Sequence, residues 1–298
     1  MSVMKHVQTV QVGRIRLGLN RSLLVLGLLM TCGTVGAYEG SVPLDMGGLD
    51  RRADPTVGLW AVTVADRALE AGFYSIAEGL YADVLADGRI PDDQRHRVSL
   101  NLITTLVGQG KIDAAAGILE AYEGPQDSRY YLRMAMVAIE RGDFEGLARD
   151  LREVETDELP EEDLGWYYFL EALAFEVRGD SRRAEGSFDE AVARAVSVAQ
   201  LAQFRAGQLR SRIISGEATP ALAGELERQV DEFQGRRLGF QFVQQYAVVL
   251  DQLGRKSEAI DVLQRNVELI PVNEVEIRDQ VLPVSYTHLT LPTINGEC

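Results

Sequence analysis

Six glycines recur along the middle of the chain: Gly72, Gly110, Gly142, Gly179, Gly216 and Gly254, spaced 38, 32, 37, 37 and 38 residues apart. A period of that size marks a stacked repeat, in which each unit buries its apolar face only against its neighbours. Other positions keep step with the glycines. Seven residues before them stand Ala65, Ile103, Ala135, Ala172, Leu209 and Ala247; five after them stand Ala77, Ala115, Leu147, Ala184, Ala221 and Ala259. Nine after come Tyr81, Leu119, Leu151, Phe188 and Leu263, a pattern that the fifth unit breaks with Glu225.

Around each glycine the apolar residues recur at roughly 3.6 positions, as in Tyr168, Ala172 and Phe175 before Gly179 and Ala184, Phe188 and Ala191 after it. Each unit therefore predicts a helical hairpin. The glycine ends the first helix in a left-handed cap that carries no side-chain penalty, and the small residues let the paired helices approach closely. Ile90-Pro91, Leu159-Pro160-Glu161-Glu162 and Thr219-Pro220 read as helix starts, with proline or acids in a first turn. No period-2 segment interrupts the chain between Leu59 and Gln280. The expected fold is all-α.

These residues resemble the tetratricopeptide repeat family, which pairs a large-small-aromatic first helix with an Ala-x3-Phe second helix. The fourth unit carries the resemblance best, in Tyr168, Ala172, Phe175, Gly179, Ala184, Phe188 and Ala191. The last full unit follows, in Ala247, Leu250, Gly254, Ala259, Leu263 and Pro271, and the first through Ala65, Gly72, Ala77 and Tyr81. The third and fifth units depart from the pattern, and most spacings exceed the family's. The resemblance spans residues 58–282 and implies a right-handed α-solenoid of about six helix pairs. A further first helix is expected from Glu274-Val275-Glu276-Ile277-Arg278.

In that family the first helices line a concave groove where proteins or peptides dock, and no catalysis or cofactor is implied. Trp166, Phe169 and Leu173, at i, i+3 and i+7, fall on the face next to the hairpin contact. The same register adds Arg97 and Thr104, Arg129 and Met136, Arg210, and Gln241 and Gln244. A groove of arginine, glutamine and aromatic residues suits an extended or helical peptide.

Chemistry-bearing motifs are few. With 30 Lys+Arg against 45 Asp+Glu and a formal charge of −15, the chain lacks the basic excess that nucleic-acid phosphates require. The body between Tyr38 and Gln280 holds His96 and no cysteine, which excludes Cys/His zinc sites and thiol nucleophiles there. His96 sits in a charged stretch and reads as a solvated surface residue. Arg141-Gly142-Asp143 and Arg178-Gly179-Asp180 spell an adhesion tripeptide, but each falls on a glycine that the repeat already requires. Gly108-Gln109-Gly110-Lys111 lacks the first glycine and the Ser/Thr of a phosphate loop. The acids of Asp150–Asp163 lack calcium-loop spacing and read as a solvated loop and helix start.

The two ends read differently from the body. Residues 1–37 carry Lys5, Arg14, Arg16 and Arg21, no acid, an apolar run Leu23–Met30 and small residues Val35-Gly36-Ala37. That is the pattern of a signal peptide cleaved before Tyr38, with no stable membrane span left afterwards. Residues 38–57 read as a flexible spacer. Residues 283–298, with Ser285-Tyr286-Thr287-His288-Leu289-Thr290-Leu291-Pro292, resemble translated adapter read-through at a contig end, which implies a non-native tail on a truncated chain. The sequence thus points to an exported interaction scaffold of the bacterial periplasm or cell envelope. The alternative is the N-terminal recognition module of a longer enzyme or transport component.

Overall fold

A computed structural model describes residues 55–88, 90–234 and 237–269. The expected signal peptide, most of the spacer, the helix expected from Glu274 and the tail lie outside the described residues. Among those described, twelve α-helices form six consecutive antiparallel pairs. The first three pairs are α1 (Pro55–Glu70) with α2 (Tyr74–Asp87), α3 (Asp92–Gln109) with α4 (Ile112–Glu120), and α5 (Ser128–Glu140) with α6 (Phe144–Asp150). They continue with α7 (Glu161–Arg178) and α8 (Ser181–Ala193), α9 (Val198–Ile214) and α10 (Pro220–Glu232), and α11 (Arg237–Gln252) and α12 (Lys256–Val267). Each pair packs on the next, so the architecture is an α-solenoid. Because α1 begins at Pro55, the last three residues expected as spacer are helical.

The glycine reading holds in the backbone. All six repeat glycines have φ between 71 and 89°, the left-handed region, where a side chain would be strained. The chain then turns into the second helix, and in two units the next residue caps it. Asp143 and Asp180 accept hydrogen bonds from the backbone N–H groups of Gly146 and Arg183. Both Arg-Gly-Asp tripeptides are thus helix-stop and helix-start devices.

The seven-before positions are all buried, Ala247 being the most open at 1%. Among the five-after positions Ala77, Ala115, Leu147, Ala184 and Ala259 are fully buried, but Ala221 is exposed. The cause is local. In the fifth unit the second helix begins four residues after its glycine instead of two, so Leu222 and Leu226 take the buried places. Glu225 then turns outward to pair with Arg212 at 2.9 Å.

The core runs along the solenoid as three successive apolar clusters. Close approach at one junction depends on Gly207 of α9, where an added Cβ would lie 2.7 Å from both Phe169 and Phe188. Curvature brings the start of α9 back against the end of α1. Ala199 Cβ lies 3.5 Å from the point where a Gly72 Cβ would stand. The first helices of the pairs therefore wrap around a hollow.

Candidate functional site

The inner wall consists of α1, α3, α5, α7, α9 and α11, and each seam between neighbours carries a polar tie. Between α1 and α3, Arg97 Nη1 meets Asp66 Oδ2 at 2.8 Å, while Tyr81 and Asn101 donate to Asp66 Oδ1. Burial pushes the Tyr81 hydroxyl well above its ordinary value, and the carboxylate beside it adds to that shift. Between α3 and α5, Arg133 Nε donates to the Leu100 carbonyl at 3.4 Å. Between α5 and α7, Arg133 Nη2 and Arg129 Nε donate to the two oxygens of Asp163 at 2.7 and 2.9 Å. Arg210 on α9 pairs with Glu176 on α7 at 2.5 Å, and Gln245 on α11 donates to the Ala206 carbonyl at 3.0 Å.

The two buried ion pairs differ in their electrostatics. Burial alone would raise the Asp163 carboxyl, but the charges and hydrogen bonds of Arg133 and Arg129 outweigh it and hold it below its ordinary value. At Glu176 burial prevails over the single Arg210, and the carboxyl is raised. The same burial lowers Arg210.

Inside the wall lies a cavity of about 1070 Å³. Of the residues expected in a docking groove, Arg97, Met136, Trp166, Phe169, Leu173 and Gln241 line it. Thr104, from the same register, lines it too. Arg129, Arg210 and Gln244 do not. Arg129 and Arg210 are held in the inter-helix ion pairs, and Gln244 is half-buried elsewhere on α11. Trp166 is half-buried and stands edge-on to Phe169 and Phe204, with ring centroids 5.9 and 5.0 Å away. Met136, Phe169 and Leu173 are buried beneath the surface.

Two sequence readings change here. Asp163 and Asp150 are buried, so the acidic stretch is not wholly a solvated loop: Asp163 is a structural tie, and Asp150 pairs with Arg149 at 3.0 Å. His96 is half-buried rather than solvated, bonded through Nδ1 to the Tyr122 hydroxyl and through Nε2 to Asp127 at 2.9 Å. Asp127 also caps α5, so His96 anchors that helix start. The Gly110-Lys111 turn is fully engaged, since the Gly110 N–H caps α3 and Lys111 pairs with Glu78 at 2.6 Å.

Among the described residues no group of three His, Cys, Asp or Glu is placed to hold a metal, and no helix is long and apolar enough to cross a membrane. Fold and wall together define an α-solenoid with a ligand-sized hollow. No family model matches the chain, and no curated protein matches it. Among solved structures it is similar to a tetratricopeptide repeat protein from Parabacteroides merdae ATCC 43184. The two are 15% identical, with 78% of this chain and 88% of that chain covered and a TM-score of 0.43.

Proposed function

We propose that this protein is an exported interaction scaffold of tetratricopeptide type that docks a partner protein on its concave wall in a bacterial periplasm or envelope. One observation carries the reading: a half-exposed tryptophan sits on an aromatic platform inside a hollow walled by six successive pairs. Large aromatics in partly enclosed sites are the side chains that most often dominate interface energetics. Export rests on the basic and apolar pattern of residues 1–37.

Site-specific photo-cross-linking tests the docking face. A cross-linker at Gln203, which lines the hollow, should capture a discrete partner in the native envelope, whereas one at Glu185, exposed on α8, should not. Equal capture from both positions would refute the concave wall as the docking face. N-terminal sequencing tests export, with Tyr38 as the expected first residue; an intact Met1 in a membrane fraction would refute cleavage.

A further inference from the structure

The sequence register put arginines in the groove, which would favour an acidic guest. The structure engages those arginines in ion pairs: Arg97 with Asp66, Arg129 with Asp163, which Arg133 shares, and Arg210 with Glu176. Six acids and three bases line the hollow, and its third base, Lys111, is paired with Glu78. Three lining carboxylates, Glu70, Glu161 and Glu162, have no ion pair among the described residues. The chain is acidic as a whole, so the long-range field has the same sign. The two arginines on Asp163 make a local excess of positive charge at the start of α7, where Glu161 and Glu162 flank that aspartate in sequence.

One edge of the hollow is apolar. Phe73 and Ile76 at the start of α2, with Val196 and Val198 before and within α9, are exposed by 61, 56, 46 and 64%. All four line the hollow, where α1 and α9 approach one another. Inside lies the Trp166 platform, whose ring face suits a cation as well as an apolar group. In volume, about 1070 Å³ matches six to nine residues of a helix about 10–12 Å across.

From this we infer that the hollow takes a short cationic amphipathic segment of a partner, its lysines or arginines on Glu70, Glu161 and Glu162 and its apolar side chains against Trp166 and the rim. The inference rests on the concave wall being the docking face and adds the charge class of the guest.

The test uses Trp166 as its reporter. The chain has two tryptophans, and Trp60 is 68% exposed, so Trp60→Phe leaves Trp166 as the sole tryptophan, and excitation at the red edge of indole absorption, where tyrosine does not absorb, isolates its emission. A short Lys/Leu peptide is titrated against this variant, alongside its counterpart with glutamate for each lysine. The Lys/Leu peptide should shift Trp166 emission saturably, and added salt should weaken it. Combining Glu70→Gln, Glu161→Gln and Glu162→Gln should raise its Kd roughly tenfold. Asp231→Asn with Glu232→Gln, exposed on α10, should leave it unchanged and so separates the site from general attraction to an acidic protein. An unchanged Kd in the triple variant would overturn the inference, as would silence of Trp166 towards both peptides. Saturable binding of the glutamate peptide alone would overturn the charge class but leave the concave docking face standing, which the Gln203 cross-link judges separately.

Discussion

The interior of a hairpin and the inner wall of the solenoid are built on different physics. Within the fourth pair, Ala172, Ala184, Phe188 and Ala191 are fully buried and apolar, and Phe188 meets Phe169 edge-on at 5.8 Å. Between pairs, the first helices are joined by polar ties, and two carboxylate–guanidinium ties, Arg133–Asp163 and Arg210–Glu176, are almost wholly buried. Apolar packing inside a unit tolerates any neighbour of similar shape. A buried charge accepts only its partner, because an unpaired ion in the interior costs several kcal/mol. The wall therefore holds each unit in one position relative to the next, and the hollow keeps its shape.

The contrast sharpens under substitution. In the hairpin, Phe188→Ala removes a fully buried ring and is expected to cost ~3–5 kcal/mol in denaturant unfolding. On the wall, Asp163→Asn leaves Arg129 and Arg133 facing a neutral group and should cost a comparable ~3–5 kcal/mol. Hydrogen exchange distinguishes them: Phe188→Ala should loosen α7 and α8 together, whereas Asp163→Asn should loosen the α5–α7 seam. A uniform loss of protection in both would break the distinction. Ala184→Leu, an overpacking change at the same hairpin contact, should cost less, ~1–3 kcal/mol.

A smaller effect separates the two ion pairs by the sign of their pH dependence. Asp163 is depressed in the folded protein, so the unfolded chain binds more protons between its folded value and the usual ~4. Its contribution is present above that range and is lost as pH falls through the folded value. Glu176 is raised, so between ~4.3 and its folded value the folded protein binds more protons. Stability there falls as pH rises. Asp163→Asn should accordingly flatten the acid side of the stability profile, and Glu176→Gln should remove a decline just above it. Identical profiles for the two variants would mean that the two pairs have the same electrostatics.

The same contrast explains what the sequence disclosed. The hairpin interior was legible because small and large residues sit at fixed distances from a left-handed glycine; only the longer loop after Gly216 displaced one unit. The wall was not. Its tied residues lie 31, 30, 34 and 39 positions apart in Asp66–Arg97, Arg133–Asp163, Glu176–Arg210 and Gln245–Ala206, so no constant period links them. Asp163 also stands in a helix first turn, where acids are favoured by the dipole alone. That signal hid its burial. Trp166, Phe169 and Leu173 were placed on one face by helical spacing, but the register could not reveal which arginines were already paired.

Trp166 is where hairpin packing and wall meet, and it gives the most direct test. Its ring is half-buried, so Trp166→Ala should lower stability by clearly less than Phe188→Ala does. At a temperature where Trp166→Ala remains folded, the yield of the Gln203 photo-cross-link to its partner is the deciding measurement. A docking wall predicts that the adduct disappears or falls severalfold. An adduct of undiminished yield from a folded Trp166→Ala protein would contradict it.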